Sequence, residues 1–231
     1  MRILVTGGGT GIGRAIAAAL KAAGDDVVIA GRREPVLREA ADALGVGYIA
    51  GDVAEAPEAL LDAGPFDGLV NNAGVARHAP LAGWTAADWD LHHAVHVRGP
   101  ALLSRAFCLR LIDAGLPGGI VNVSSNLGLR PAPATAAYSA SKAAMLSLTR
   151  SLAVEMAPHG IRANAVLPGV VPTAMTATGD DPEARLEALR LRHPLGRLGA
   201  PADVASAVTW LLHAEWVTGA ELAVDGGLLI G

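Results

Sequence analysis

Of the 231 residues only one is cysteine, Cys108, so no intrachain disulfide can form and no thiol pair stands at metal-ligand spacing. A reducing cytoplasm is the simplest setting, with Cys108 a small buried hydrophobe. Aromatic residues are also scarce, at 3%, although hydrophobic residues reach 52%. The excess is Ala, Leu and Val, which suits helices packed on a buried parallel sheet. Positive charge is limited: 18 Lys and Arg against 22 Asp and Glu leave a formal charge of −4, without a basic block or a basic stripe interleaved with aromatics. This argues against a nucleic-acid partner. No apolar run approaches the ~18 residues of a membrane-spanning helix. Ile3, Leu4 and Val5, between Arg2 and Thr6, are too few for a signal-peptide core. The expectation is a soluble, cytoplasmic protein with no membrane partner.

What is present is alternation. Short apolar runs at 3–5, 27–30, 48–50, 69–70, 120–123, 163–167 and 222–224 read as strands. Between them, 11–23, 35–44, 85–114, 136–157 and 202–212 carry helical spacing. The βαβ pattern predicts an α/β fold, a doubly wound parallel sheet of about seven strands in a single domain. Ligands in such folds bind beyond the carboxyl ends of the strands. No repeat, low-complexity tract or linker interrupts the chain. The long stretch without a strand, about 170–200, holds Pro172, Gly179, Pro182, Pro194, Gly196 and Gly199 around a short helix at 183–192. It is the expected substrate loop, since long loops in compact domains are often functional.

Thr6-Gly7-Gly8-Gly9-Thr10-Gly11-Ile12-Gly13 follows the first strand and opens the first helix, where exposed N–H groups and the helix dipole favour a pyrophosphate. The spacing of Gly7, Gly11 and Gly13 is not the Gly-x-Gly-x-x-Gly fingerprint, so position carries the reading; alone, the turn could be mere flexibility. The second strand ends at Gly31-Arg32-Arg33, where an NAD-selective enzyme usually offers a carboxylate to the ribose 2′-hydroxyl. Two guanidinium groups fit a 2′-phosphate instead, which favours NADP(H) over NAD(H). Asp25 and Asp26 precede that strand, at the wrong end.

Tyr138 and Lys142 share a face at the start of an Ala-rich helix, and Ser125 lies just past the strand at 120–123. A phenol with its unperturbed pKa of about 10 is a poor acid–base group, but a nearby ammonium and an oxidised nicotinamide both favour phenolate. In reduction Tyr138 would protonate the oxygen as hydride arrives at carbon, with Ser125 holding that oxygen. Tyr-x-x-x-Lys often arises by chance, so its context decides.

That context resembles the short-chain dehydrogenase/reductase family over essentially the whole chain. The matching motifs are Thr6-Gly7 through Gly13, Asp52-Val53, Asn71-Asn72-Ala73-Gly74, Ser125, Tyr138-Ser139-Ala140-Ser141-Lys142, Asn164, Pro168-Gly169 and Asp225-Gly226-Gly227. The resemblance, nearest to 3-oxoacyl-carrier-protein reductases, implies a Rossmann-type fold with Ser125, Tyr138 and Lys142 as catalytic residues. It implies a cofactor site of Thr6, Gly7, Gly9, Thr10, Gly11, Ile12, Gly13, Arg32, Arg33, Asp52, Val53, Asn72, Ala73, Gly74, Tyr138, Lys142, Pro168, Gly169, Val171 and Thr173, with Asn71 also on the wall. It also implies a homo-oligomer, a tetramer or dimer, joined through the helices at 85–114 and 136–157.

One position departs from the family pattern. In Val95-His96-Val97-Arg98-Gly99, His96 stands where the family usually has the Asn that completes its catalytic tetrad. That Asn acts largely through its backbone carbonyl, so activity is expected to survive with His96 among the catalytic residues. Asp88, His92 and His96 also recur at helical spacing, as metal ligands can, but the family needs no catalytic metal and none is expected. The substrate is expected to be a small carbonyl or alcohol, a 3-oxoacyl thioester among the candidates, with Arg130, Arg185, Arg190 and Arg192 available near the mouth for an acidic group. An NAD-dependent alcohol dehydrogenase and a catalytically idle nucleotide-binding sensor or scaffold are the alternatives.

Overall fold

The computed structural model describes residues 1–173 and 182–231, the side chains at 182 and 185 excepted. In chain order the main elements are β1 (Arg2–Thr6), α1 (Gly11–Ala22), β2 (Asp26–Gly31), α2 (Glu34–Leu44), β3 (Gly47–Ala50), β4 (Gly68–Asn71), α3 (Ala86–His93), α4 (Gly99–Ala114), β5 (Gly118–Val123), α5 (Ala136–Met156), β6 (Ile161–Pro168), α6 (Pro182–Arg190), α7 (Pro201–His213) and β7 (Glu221–Val224). The strands form one parallel sheet in the order β3-β2-β1-β4-β5-β6-β7. Each strand predicted from the sequence is present, longer by a residue or two at one or both ends. The chain winds outward from β1 to β3, then returns to place β4 on the other side of β1. That reversal opens a crevice at the carboxyl ends.

Strand residues alternate between two cores. Ile3, Val5, Ile29 and Val121 face α1 and α7 through Ile16, Leu20, Val208 and Leu211. Leu4, Leu69 and Ile120 face α4 through Leu103, Phe107 and Leu111. Strands covered on both faces need apolar residues at successive positions, which is why they read as near-continuous apolar runs.

The predicted helix 85–114 is not one regular helix. Thr85 caps α3 by accepting the Asp88 N–H, and a π-helical turn, Ala94–Arg98, separates α3 from α4. Pro100 is a sufficient cause: it has no N–H to offer the His96 carbonyl four residues earlier. Gly99 has its own reason, since a Cβ there would overlap the Val53 carbonyl. The short helix expected at 183–192 runs from Pro182 to Arg190.

Candidate active site

The turn after β1 is shaped by close approach. Gly7 has φ +66°, and a Cβ on it would lie 2.9 Å from Ala73 Cα; a Cβ on Gly13 would overlap the Gly7 carbonyl and the Asn72 amide. The N-terminus of α1 is left open to the crevice. Thr10 makes no side-chain capping bond there, and the first turn has no acidic residue. Its orphan N–H groups therefore remain available to an anion.

From this turn a cleft of about 530 Å³ runs along the strand ends. It is lined by Gly7, Gly9, Thr10, Gly11, Ile12 and Gly13, then by Arg32, Arg33, Asp52 and Val53, and on its inner wall by Asn72, Ala73 and Gly74. Pro168, Gly169, Val171 and Thr173 complete it beside His96, Ser125, Tyr138 and Lys142. Arg32, with 62% of its side chain exposed, stands 3.8 Å from the Asp52 carboxylate. The other Asp52 oxygen accepts the Ala54 N–H at 2.8 Å. No carboxylate is supplied by Gly31, Arg32 or Arg33 at the end of β2.

Thr6 and Asn71 stand behind this lining. The buried Thr6 hydroxyl donates to the Val70 carbonyl at 3.2 Å and accepts the N–H groups of Asn72 and Ala73 at 3.0 and 3.1 Å. It pins the β4 loop to β1. Asn71 donates to Ser104 and Asn122, and Asn122 donates onward to Thr149. Sequence reasoning missed this buried polar chain joining β4, β5, α4 and α5. Its one signal was a polar residue, Asn122, inside the apolar run of β5.

At the far end of the cleft, α5 places Tyr138 and Lys142 one turn apart. The Lys142 ammonium donates to the Val123 carbonyl at 2.9 Å and lies 5.7 Å from the Tyr138 ring centre. Ser125 accepts the Leu127 N–H at 3.1 Å, donates weakly to Asn126 at 3.3 Å, and is hydrogen-bonded to the Tyr138 phenol. The expected electrostatics need correction here. Burial pushes Lys142 down to about 7 and the Tyr138 phenol up, with the Ser125 hydrogen bond opposing the latter only in part. When protein alone surrounds the pair, losing water outweighs the ammonium's help to the phenolate.

His96 is fully buried. Its Nε2 accepts the Val75 N–H at 3.0 Å and its Nδ1 meets the Ser141 hydroxyl at 2.8 Å. Burial first, then Lys142, hold it far below the usual imidazole range. Asp88 is taken by Arg77 and Thr85, and among the described residues no group of three side chains could hold a metal ion.

The arginines expected at the mouth are largely committed. Arg130 donates to the carbonyls of Leu228 and Gly231, and Arg190 pairs with Glu187 and the Gly196 carbonyl. The side chain of Arg185 lies outside the described residues, as do 174–181 of the expected substrate loop, Gly179 among them; Arg192 is exposed.

Residues 7–229 match a family model described as enoyl-(acyl carrier protein) reductase. The 2-(S)-hydroxypropyl-CoM dehydrogenase 3 of Xanthobacter autotrophicus is 38% identical, the alignment covering 98% of this chain and 95% of that protein. The L-xylulose reductase of Bos taurus is 40% identical over 99% of this chain and 96% of its own. A crystal structure from Agrobacterium tumefaciens, proposed as a 2-deoxy-D-gluconate 3-dehydrogenase and holding NADP, superposes with a TM-score of 0.91 at 37% identity, covering 100% of this chain and 96% of that one. With a whole-chain match, a seven-stranded parallel sheet and the Ser125, Tyr138 and Lys142 cluster in one cleft, the chain belongs to the short-chain dehydrogenase/reductase family, whose members are nicotinamide-dependent oxidoreductases.

Proposed function

We propose that this oxidoreductase prefers NADP(H) and interconverts a small carbonyl compound and its secondary alcohol. One observation carries the reading: a single cleft joins the open α1 N-terminus and the Arg32–Arg33 pair to Ser125, Tyr138 and Lys142. The glycine turn and α1 fit a pyrophosphate, the two guanidinium groups a 2′-phosphate, and Asp52 and Val53 an adenine edge. When bound, the nicotinamide cofactor supplies or takes up hydride.

The remaining chemistry is the chain's own. Ser125 Oγ holds the substrate oxygen, Tyr138 Oη gives it a proton in reduction and takes one in oxidation, and Lys142 Nζ sets the charge around that phenol. A cofactor cation over the cleft would add to the Lys142 field and turn the phenol toward the ionised form needed for oxidation. His96 serves through its carbonyl, which lacks the i+4 donor that Pro100 would otherwise supply and so can order a water for the lysine. That the His96 imidazole also supports the relay would be sunk by a substantial gain in turnover in His96→Asn with no change in His96→Ala.

Sugar-like ketones and 3-oxoacyl thioesters are the substrate classes to try first; the relatives include an L-xylulose reductase, and the sequence resembles oxoacyl reductases. Residues 170–200 are the proposed substrate loop. A lone buried Cys108 suits a reducing environment, which supports the cytoplasm as the setting.

Titration with NADPH and NADH, followed by nicotinamide fluorescence and melting temperature, tests the cofactor assignment. Wild type should bind NADPH at least about tenfold more tightly, and Arg32→Ala with Arg33→Ala should erase that preference, as expected for loss of charge-assisted bonds. Preference for NADH would move the reading to an NAD-dependent dehydrogenase. Binding without turnover on any carbonyl would leave a nucleotide-binding sensor.

A further inference from the structure

We propose that His92 and His96 form a two-imidazole clamp that positions the wall between β4 and α3, and with it the substrate side of Tyr138. The rings lie one helical turn apart, and each accepts one backbone N–H from the same loop: His96 Nε2 from Val75 at 3.0 Å, His92 Nε2 from Arg77 at 3.2 Å. A backbone N–H can only donate, so both Nε2 atoms are bare. On the opposite edge His92 Nδ1 faces the Asp88 carbonyl at 2.7 Å, which can only accept. His96 Nδ1 faces Ser141 Oγ at 2.8 Å, and that hydroxyl's own proton goes to the Tyr138 carbonyl at 2.7 Å. Both rings are therefore neutral and carry the proton on Nδ1, the tautomer disfavoured by a free imidazole in water.

The loop they grip is the inner wall. Gly74 and Val75 line the cleft, and the loop runs on to His78, whose ring stacks on Tyr138 at 6.2 Å. The clamp rings themselves meet the Tyr138 ring edge-on, His96 at 5.5 Å and His92 at 6.1 Å. A Cβ on Gly74 would sit 3.2 Å from His96 Nε2, so the loop lies close against the ring. Through Ser141, His96 also ties this wall to the turn of α5 that carries Tyr138. Protonating Nε2 would turn an acceptor into a donor facing a donor and release the loop. The titratable and charged groups facing the pair are Lys142 and Tyr138 on α5, Asp88 on α3, and Arg77 and His78 on the loop. His92 and His96 are positioning residues: they act through the wall and through Tyr138.

The test uses the full chain labelled with ¹⁵N. Long-range ¹H–¹⁵N spectra at about pH 8 should show His92 and His96 as Nδ1–H tautomers, with the buried His96 keeping this pattern down to about pH 6. An Nε2–H tautomer at either position at about pH 8, or an imidazolium at His96 over that range, overturns the proposal. The kinetic arm rests on the carbonyl-reductase reading. His92→Leu, which cannot accept the Arg77 N–H, should raise KM for the carbonyl substrate about tenfold with a smaller fall in kcat, while His92→Gln, whose Oε1 reaches about as far as Nε2, should recover to within about threefold of wild type. Equal kinetics in wild type and His92→Leu would contradict it. Absence of turnover in the wild type would count against the function alone, because the spectra need no turnover.

Discussion

Lys142 occupies a site that disfavours its own charge: buried, with one carbonyl as partner, it is drawn down to about 7 from an ordinary 10.5. The unfolded chain therefore holds a proton that the folded chain sheds between about 7 and 10.5, so stability of the cofactor-free protein rises with pH across that window. Below about 7 the whole cost of burying the ammonium is present. Lys142→Met should melt higher than wild type at acidic pH, with the gap closing as pH rises, in melting curves recorded across the window. Thr6 gives a second prediction. Thr6→Val leaves the Ala73 N–H without its acceptor and the Asn72 N–H with only the Val70 carbonyl, and should lower unfolding free energy in urea by about 1–3 kcal/mol. The meeting of Ser125, Tyr138 and Lys142 in one cleft was legible in the sequence because Tyr138 and Lys142 keep fixed helical spacing and Ser125 follows a strand. The second function of His96, and any role for His92, were not, because a ring's partners across a loop leave no periodic trace.

At the scale of elements, the glycine turn and α1 act as one unit, and Gly13 sets how closely they meet. Gly13→Ala should push α1 from the turn, weakening NADPH binding by at least about tenfold in the same titration, since the added methyl overlaps backbone as well as a side chain. The π-helical turn between α3 and α4 is a second such unit. Pro100→Ala would restore the missing N–H and should favour a regular helix, raising the melting temperature while lowering kcat as the His96 carbonyl is capped. The strands were readable because each is a short, largely apolar run ended by glycine, proline or a polar residue. The π-helical turn was not, because 85–114 keeps helical spacing throughout and only one missing N–H breaks the ladder.

The whole molecule presents more apolar surface than the proposed catalytic reaction requires. Leu102 and Leu109 on α4 and Val154 on α5 are exposed, Val154 by 79%, and Trp216 before β7 is 99% exposed. These helices are the ones expected to pack between subunits, and covering such side chains is the physical motive for assembly. Light scattering should give a mass at least twice the 23.4 kDa of one chain, and Leu109→Glu with Val154→Glu should reduce it. Among the described residues no helix is long and apolar enough to cross a membrane. At this scale the doubly wound sheet was plain from the βαβ alternation, whereas the cleft's electrostatics depended on burial that no single segment reveals.

The central claim is that Tyr138 moves the proton in a hydride transfer that the rest of the cleft only positions. The most direct measurement compares NADPH oxidation by a reducible carbonyl compound in wild type and Tyr138→Phe, with NADPH affinity determined for both. The account predicts turnover falling by about 10²-fold or more, as for loss of a general acid, while NADPH affinity stays within about threefold. Turnover of Tyr138→Phe equal to wild type would contradict it.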